Sequence, residues 1–187
     1  MHILDAIYHY KNIIPKNFCK NIIDYADIVC VDKAKVMVKE KDVVDTKTRN
    51  VFSYFFKDDN DNDKLYKNHL FTICSKAIKH YATKFTFMNE QMKLEDINLL
   101  KYGKGHFYQP HIDAHFLLNR TLSIIINLNN DYEGGKICFH DNEKQHKVLD
   151  YKLDTGDLLV FPSTFLYPHS VEKVESGFRY SMVAWFV

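Results

Sequence analysis

The fold of this chain is indicated most clearly by one stretch of its sequence, Tyr102-Gly103-Lys104-Gly105-His106-Phe107-Tyr108-Gln109-Pro110-His111-Ile112-Asp113, which is followed far downstream by His169 and Arg179. Of these residues, His111 and His169 supply two imidazoles and Asp113 supplies one carboxylate. Such a set can bind a divalent metal on one face and leave the opposite face open to further ligands. The guanidinium of Arg179 can grip a carboxylate through two hydrogen bonds. We therefore predict a metal site with a carboxylate-bearing ligand beside it.

The spacing of the candidate ligands supports this site. His111 and Asp113 project from the same face if residues 110–116 are extended, because side chains alternate along a strand. His169 is the preferred third ligand, since a residue from a facing strand can complete one face of an octahedral ion. His115 shares the face of the first two and stays the alternative. The same ligand set also serves catalytic zinc, so the ligands alone do not separate oxidation from hydrolysis.

Arg179 adds a charged group to a predicted strand over residues 178–186. The turn at Ser176-Gly177 predicts a hairpin that pairs this strand with the one bearing His169. Alternation places a guanidinium and a hydroxyl among apolar groups on one face, made of Arg179, Ser181, Val183 and Trp185. A buried arginine needs a partner, and either a bound carboxylate or an acidic side chain would serve.

Composition limits the partners that the chain can have. It has 187 residues, with 25 Lys and Arg against 24 Asp and Glu, and a net charge of +1. This balance gives no large electrostatic footprint for nucleic acid or an anionic membrane. The longest apolar run, Met182–Val187, is far too short to span a membrane. The sequence makes no prediction of oligomeric state.

The start of the sequence and its cysteines indicate a reducing compartment. Met1–Asp5 carries an acid early and lacks the basic and then apolar layout of a secretory signal, so we expect a cytoplasmic chain. The cysteines are widely separated, which favours reduced and buried thiols over disulfides or a zinc knuckle. They are Cys19, Cys30, Cys74 and Cys138.

The amino-terminal half predicts helices with a few strands. Apolar residues recur at helical spacing over 15–29 and again over 64–85, which predicts two amphipathic helices. Residues 35–39 and 50–56 are predicted to be strands. The acidic run Asp58–Asp63 lacks the glycine and the terminal glutamate of a calcium loop, so we interpret it as a solvated turn that caps the second helix.

The carboxy-terminal half predicts a sheet. After residue 92, short apolar or alternating runs recur between turn signals, and about eight strands are expected. We predict an α+β fold with a double-stranded β-helix, or jelly-roll, core and supporting amphipathic helices from the amino-terminal half. A single domain over residues 1–187 is expected, in which residues 1–92 give helical support and the first strands and residues 93–187 form the jelly-roll core.

These residues resemble the 2-oxoglutarate and Fe(II)-dependent dioxygenases of the prolyl 4-hydroxylase-like branch. The family pattern Tyr-x-x-Gly-x-x-Tyr-x-x-His-x-Asp is met by Tyr102, Gly105, Tyr108, His111 and Asp113, and its distal part by His169 and Arg179. The resemblance covers roughly residues 95–187. It implies that His111, Asp113 and His169 bind Fe(II) and that Arg179 holds the distal carboxylate of 2-oxoglutarate.

The resemblance also implies four further contacts with the co-substrate. Ser181 completes an Arg-x-Ser pair, and Tyr102 stands where the branch places a tyrosine that faces the co-substrate. Trp185 matches a tryptophan that lines the pocket of the oxygen-sensing prolyl hydroxylases. Asn127 occupies the position of their second co-substrate-binding tyrosine, so the carboxylate is expected to be held differently on that side.

The reaction that the resemblance implies is hydroxylation of a C–H bond, with a prolyl residue of a peptide or protein as the leading substrate. It would use O2 and 2-oxoglutarate, release succinate and CO2, and use ascorbate as reductant. Asp113 favours hydroxylation, since halogenating relatives lack this carboxylate. Residues 43–49 and 103–110 are the loops in which we expect selectivity.

Two other functions stay open for the sequence. A nucleic-acid demethylase of the same superfamily would carry a second arginine six residues after the first, where this chain has Trp185. A non-catalytic jelly-roll binding module would not need the metal triad together with Arg179.

Overall fold

The fold is given by a computed structural model that describes residues 3–38, 41–85, 92–114, 118–141 and 146–187. A short 3-10 helix at Ile3–Ala6 precedes the first strand. The helices are α1 (Lys16–Val29) and α2 (Asp61–Ala82). The strands are β1 (Tyr8–Tyr10), β2 (Asp32–Lys33), β3 (Val36–Val38), β4 (Lys41–Val43), β5 (Arg49–Asn50), β6 (Phe52–Phe55), β7 (Leu94–Tyr102), β8 (Phe107–His111), β9 (Leu122–Asn127), β10 (Glu133–Gly134), β11 (Ile137–His140), β12 (Lys147–Tyr151), β13 (Leu158–Pro162), β14 (His169–Val171), β15 (Val174–Ser176) and β16 (Arg179–Phe186).

Two antiparallel sheets form the body of the fold. The larger has the order β1-β13-β9-β16-β7-β6-β2, and the smaller has the order β12-β11-β14-β8-β5. Apolar side chains from both sheets pack together between them, with Ile125, Leu159 and Phe161 meeting Ile137 and Phe139. The predicted α+β jelly-roll fold with supporting helices is confirmed.

The larger sheet is buried on both faces. In β9, Ile124 and Ile126 pack with the helices, while Ile125 packs between the sheets. Cys19 and Ile22 of α1 and Leu70 of α2 belong to the helix-side cluster. Strands covered on both faces are apolar at consecutive positions rather than at alternate ones. This double cover explains why β9 and β16 have continuous apolar runs in the sequence.

The helices follow the prediction with small shifts. Helix α1 begins directly after Pro15, and α2 starts at Asp61 and ends at Ala82 rather than covering 64–85. The side chain of Asn60 caps α2 by accepting hydrogen bonds from the backbone N–H groups of Asn62 and Asp63. The capping role predicted for the acidic run is therefore confirmed.

Asp63 differs from the solvated turn predicted around it. Its carboxylate is fully buried and accepts three hydrogen bonds, from the hydroxyls of Tyr25 at 2.6 Å and Tyr54 at 2.7 Å and from the backbone N–H of Lys57 at 2.8 Å. Burial of a carboxylate is tolerated when its oxygens are satisfied in this way. Asp63 thus ties α1, β6 and α2 together.

The predicted hairpin between the strands of His169 and Arg179 is wrong. Strand β14 pairs with β8 and β11 in the smaller sheet, whereas β16 pairs with β7 and β9 in the larger one. The Ser176-Gly177 turn joins β15, which pairs with β10 in a separate two-stranded sheet, to β16 in the larger sheet. Gly177 has φ of 74°, and a Cβ there would lie 2.9 Å from the carbonyl oxygen of Asp131. The local turn signal was present, but the jelly-roll connection crosses between sheets.

The structure agrees with the prediction of reduced, buried cysteines. All four cysteines are buried with free thiols. Within the described residues, neither helix is both long and apolar enough to cross a membrane.

Replacing Asp63 by Ala should destabilise the fold by about 3 kcal/mol, because three donors lose their buried acceptor. Asp61→Ala is a matched control, since that side chain occupies the same first turn of α2 and is 99% exposed. Its change should stay below about 1 kcal/mol. Urea unfolding measures both variants, and equal midpoints would contradict a stabilising role for the Asp63 network.

Candidate metal centre

The two candidate histidine ligands lie directly opposite each other on neighbouring strands. His111 at the end of β8 pairs with His169 at the start of β14, and their ring centroids are 4.3 Å apart. Both strands belong to the smaller sheet, so the third ligand comes from an adjacent strand rather than from one on the opposite sheet. Cross-strand pairs of this kind bring side chains on the same face into contact.

Backbone carbonyls fix which nitrogen of each ring is free. Nδ1 of His111 donates to the carbonyl oxygen of Gln109 at 2.9 Å, and Nδ1 of His169 donates to that of Tyr167 at 3.2 Å. A carbonyl can only accept, so the proton of each neutral ring is on Nδ1 and the lone pair is on Nε2. This second contact is the usual way in which a ligating histidine is oriented.

Asp113 completes the cluster from beyond the end of β8. Its carboxylate oxygens lie 3.6 Å from Nε2 of His111 and 3.6 Å from Nε2 of His169. The three ligand atoms lie within 4.8 Å of one another. The predicted extended segment over 110–116 is shorter in the structure, because β8 stops at His111 and Asp113 follows a bend.

Ser123 of β9 holds the Asp113 carboxylate in place from the other sheet. Its hydroxyl donates to Oδ2 at 2.6 Å and lies 2.8 Å from the hydroxyl of Ser163. The backbone N–H of Ala114 donates to the carbonyl oxygen of Ser163 at 2.9 Å. The segment after β8 is thus bound to both β9 and the end of β13.

The protonation states of the cluster suit a cation. Burial alone would raise the pKa of Asp113, but His169, His111 and the Ser123 hydroxyl outweigh it and hold that pKa below its usual range. Burial and the neighbouring His169 lower the pKa of His111 to about 3. A neutral imidazole and an ionised carboxylate are the forms that bind metal. The donor set therefore fits a divalent ion such as Fe(II).

His115, the alternative third ligand, lies outside the described residues. His169 brings its Nε2 to the cluster from β14.

Arg179 lies in the interior with little to satisfy it. Its side chain is 1% exposed, its Nη1 donates to the hydroxyl of Ser181 at 2.9 Å, and its Cζ lies 5.1 Å from the ring centroid of Tyr102. Its Nε has no hydrogen-bond partner among the residues that the structure describes. Among the described residues no carboxylate forms an ion pair with Arg179. The acidic side chain that the sequence allowed as its partner is therefore not found in that part of the chain. A buried cation in this state is suited to an anionic ligand.

Asn127 is engaged with the surrounding protein. Its Nδ2 donates to the carbonyl oxygens of Asn129 and Leu153, the latter at 2.9 Å, and its Oδ1 accepts from the hydroxyl of Tyr132 at 3.2 Å. Tyr132 and Arg179 both lie against Gly135. A Cβ built on Gly135 would lie 3.0 Å from Cδ of Arg179 and 3.2 Å from Cε2 of Tyr132, so the two side chains are close to each other.

Trp185 covers the same interior face near the carboxylate ligand. It pairs across β16 with Ser123, is 5% exposed, and its ring stacks with Phe55 at 6.3 Å between centroids. The guanidinium of Arg120 lies 3.8 Å from its ring centroid. Its side chain also helps to lower the pKa of Asp113.

Comparison with known proteins agrees with this geometry. Residues 97–187 match the family model described as the 2OG-Fe(II) oxygenase superfamily. The carboxy-terminal part of the chain is therefore similar to this superfamily.

The curated relatives are PKHD-type hydroxylases. One from Prochlorococcus marinus strain NATL2A is 35% identical over 85 residues, which cover 43% of this chain and 36% of that protein. One from Psychrobacter is 42% identical over 79 residues, which cover 41% of this chain and 29% of that protein. The chain therefore spans well under two thirds of the length of these relatives.

Solved structures share the fold over nearly the whole chain. A viral collagen prolyl hydroxylase from Paramecium bursaria Chlorella virus-1, in complex with 2OG, aligns with a TM-score of 0.66 and 16% identity over 99% of this chain and 98% of that one. A prolyl hydroxylase from Trichoplax adhaerens, in complex with a peptide of the hypoxia-inducible factor, has a TM-score of 0.72 and 17% identity over 98% and 84%. At these identities the likeness establishes the fold.

The sequence did not point to several residues that lie near the candidate metal centre. Ser123 and Tyr132 act through contacts with Asp113 and Asn127 that no short motif shows. The one available signal for Ser123 was a hydroxyl inside the fully buried strand β9. Arg49 lies with its Cζ 4.7 Å from the ring centroid of Tyr108, which stacks on His111 at 3.5 Å.

Replacing Ser123 by Ala should weaken metal binding about tenfold, because the carboxylate of Asp113 loses the group that orients it. Ser176→Ala, at an exposed serine of β15, should leave the affinity unchanged. Titration of the metal-free protein with Fe(II) under argon, or with Mn(II), measures the dissociation constants. Equal constants for the two variants would show that Asp113 is positioned without Ser123.

Proposed function

We propose that this chain is a 2-oxoglutarate-dependent hydroxylase that uses Fe(II) and O2 to hydroxylate a C–H bond and releases succinate and CO2. The observation that carries the proposal is the cluster of His111, Asp113 and His169, whose ligand atoms lie within 4.8 Å of one another, with a buried and incompletely paired Arg179 on the opposite sheet. We further propose that residues 1–187 act as one catalytic domain, because α1 and α2 cover the outer face of the sheet that bears Arg179.

His111, Asp113 and His169 would hold the iron, which supplies the redox chemistry that activates O2 when it is bound. The protein itself orients the ligands. The carbonyls of Gln109 and Tyr167 keep both imidazoles in the tautomer with a free Nε2. Three protein ligands leave positions for other ligands on the open face.

Arg179 would bind the distal carboxylate of 2-oxoglutarate. Its hydrogen bond to Ser181 uses one Nη1 proton and fixes the direction of the fork before the ligand arrives. The ring of Tyr102 forms one wall beside the guanidinium, and burial raises the pKa of its hydroxyl, so the phenol stays protonated and can donate. Trp185 would form the wall nearer the metal and help exclude water.

Asn127 would act through Tyr132. Because the amide of Asn127 is bound to carbonyls and to the Tyr132 hydroxyl, we propose that Tyr132 supplies the phenol that the oxygen-sensing prolyl hydroxylases place at the position of Asn127. The closeness of Tyr132 and Arg179 above Gly135 supports this role.

A prolyl residue in a peptide or protein is the proposed substrate class. The curated relatives are named PKHD-type hydroxylases, and solved structures with the same fold are named prolyl hydroxylases, one of them in complex with a peptide. Exposed apolar side chains occur close in sequence to the candidate metal ligands: Ile112, Phe165 and Leu166 are 42%, 66% and 44% exposed. Such side chains suit an apolar ring in an extended peptide.

Succinate formation tests the proposal. Purified protein with Fe(II), ascorbate, O2 and 2-oxoglutarate should form succinate, and a library of proline-bearing peptides should stimulate it and gain one oxygen atom by mass spectrometry. His111→Ala should form no succinate and bind no metal while keeping the circular dichroism spectrum. Absence of turnover with every peptide, together with metal-independent peptide binding, would identify a binding module instead.

Arg179→Met should raise the dissociation constant for 2-oxoglutarate about 100-fold, because two charge-assisted hydrogen bonds are lost. The dissociation constant of Arg179→Lys should lie between those of the wild type and Arg179→Met, since an ammonium keeps the charge but cannot form the paired hydrogen bonds of a guanidinium. Metal affinity should not change in either variant. Calorimetry on the Mn(II) form measures both constants, and an unchanged 2-oxoglutarate affinity in Arg179→Met would place the distal carboxylate elsewhere.

Tyr132→Phe should raise the dissociation constant for 2-oxoglutarate about fivefold, because the hydroxyl, whose single proton goes to Oδ1 of Asn127 in the structure, would turn and donate it to the distal carboxylate instead. Affinity for 2-oxobutyrate, which lacks that carboxylate, should not change. Tyr151→Phe, on β12 of the smaller sheet, is the control. If Tyr132→Phe lost affinity for both acids equally, the hydroxyl would act by supporting Asn127 and not by contacting the ligand.

A further inference from the structure

Asn98 is a fully buried amide without hydrogen bonds. Its side chain is 0% exposed, and neither Oδ1 nor Nδ2 has a partner among the described residues. An amide in this state lowers stability, because its water contacts are lost and nothing replaces them. Native proteins keep few such groups, and each calls for a physical explanation.

The direction of the Asn98 side chain follows from β7. Ile97 and Leu99 belong to the cluster that packs against the helices. Alternation therefore sends Asn98 to the opposite face, into the space between the two sheets. Tyr102, four residues on, projects from that same face toward Arg179.

The strand register gives the level of Asn98 within that space. Tyr102 pairs with Arg179, and Asn98 pairs with Val183, two residues before Trp185. Trp185 in turn pairs with Ser123, which binds the carboxylate of Asp113. The amide therefore lies between the level of the arginine and the level of the metal ligand.

One other unsatisfied donor shares this face. Among the described residues, Nε of Arg179 is buried without a hydrogen-bond partner, and Arg179 pairs with Tyr102 four residues along β7 from Asn98. Two unsatisfied polar groups on neighbouring paired strands match a polar ligand that extends from the arginine toward the metal ligands.

We propose that Asn98 is a co-substrate-binding residue whose Nδ2 donates to the metal-proximal 1-carboxylate of the bound 2-oxo acid. This inference rests on the proposed function. An acid held at its far end by Arg179 and at its near end by the metal must pass the level of Asn98. The 1-carboxylate keeps lone pairs for an amide donor, whereas the carbon chain between the two ends has none.

The test is the affinity of the Mn(II)-loaded protein for two acids, measured by calorimetry without turnover. Asn98→Leu keeps the approximate volume and removes both polar atoms. It should raise the dissociation constant for 2-oxoglutarate about tenfold, as loss of a hydrogen bond to a charged group does. The metal-free variant should unfold at the same or a higher urea concentration than the wild type. Asn21→Leu, at an exposed position of α1, should change the affinity for neither acid.

The second acid, 2-oxobutyrate, keeps the 1-carboxylate and the 2-oxo group but lacks the distal carboxylate. Asn98→Leu should weaken both acids by the same factor, whereas Arg179→Met should weaken 2-oxoglutarate alone. Wild-type affinity for both acids in Asn98→Leu, or a loss confined to 2-oxoglutarate, would overturn the inference. Asn98→Ala, which cannot clash, gives the same comparison if the leucine variant fails to fold. Failure of the wild type to bind either acid would overturn the proposed function itself.

Discussion

The hydrogen bond from Ser123 to Asp113 joins the two sheets at the point where the metal ligands meet. Asp113 lies beyond the end of β8, where no ladder holds the backbone. Without an anchor its carboxylate could turn away from the two imidazoles, which are fixed by their own strands. Because Ser123 belongs to the larger sheet, the same bond sets the position of that sheet against the smaller one. The distance from Arg179 to the metal ligands depends on this junction.

The larger sheet serves the helices on one face and the site on the other. In β16, Tyr180, Met182, Ala184 and Phe186 pack in the helix-side cluster, while the residues between them line the interior. Alternation therefore fixes the site residues as strictly as the core does. A shift of one residue in the pairing of β16 with β7 would move Arg179 to the helix side and bury its charge among apolar groups. The helices thus hold the register on which the ligand pocket depends.

How far the sequence predicts this site depends on the range of each contact. The shared face of Arg179, Ser181 and Trp185 follows from alternation, which is a property of a single strand. The pairing of His111 with Asp113 was predicted from the same alternation, but Asp113 lies beyond the end of β8. The hairpin after Ser176-Gly177 was wrong, because a turn signal does not say which sheet receives the next strand. The contacts of Asn127 also escaped the sequence analysis, since its Nδ2 bonds the carbonyl of Leu153, 26 residues away.

The unsatisfied atoms of the interior distinguish a binding pocket from a packed core. A β-sandwich optimised for stability alone would place apolar side chains at Asn98 and Arg179, because a buried polar group without a partner costs about 1–3 kcal/mol and a charged one more. Along the same strands, Leu100 and Val183 show that apolar residues fit this face. The polar residues that interrupt them occur at the two positions that a dicarboxylate on the metal would approach. A ligand bound as proposed would supply the missing partners, and ligand binding and folding stability would then be two measurements of the same contacts.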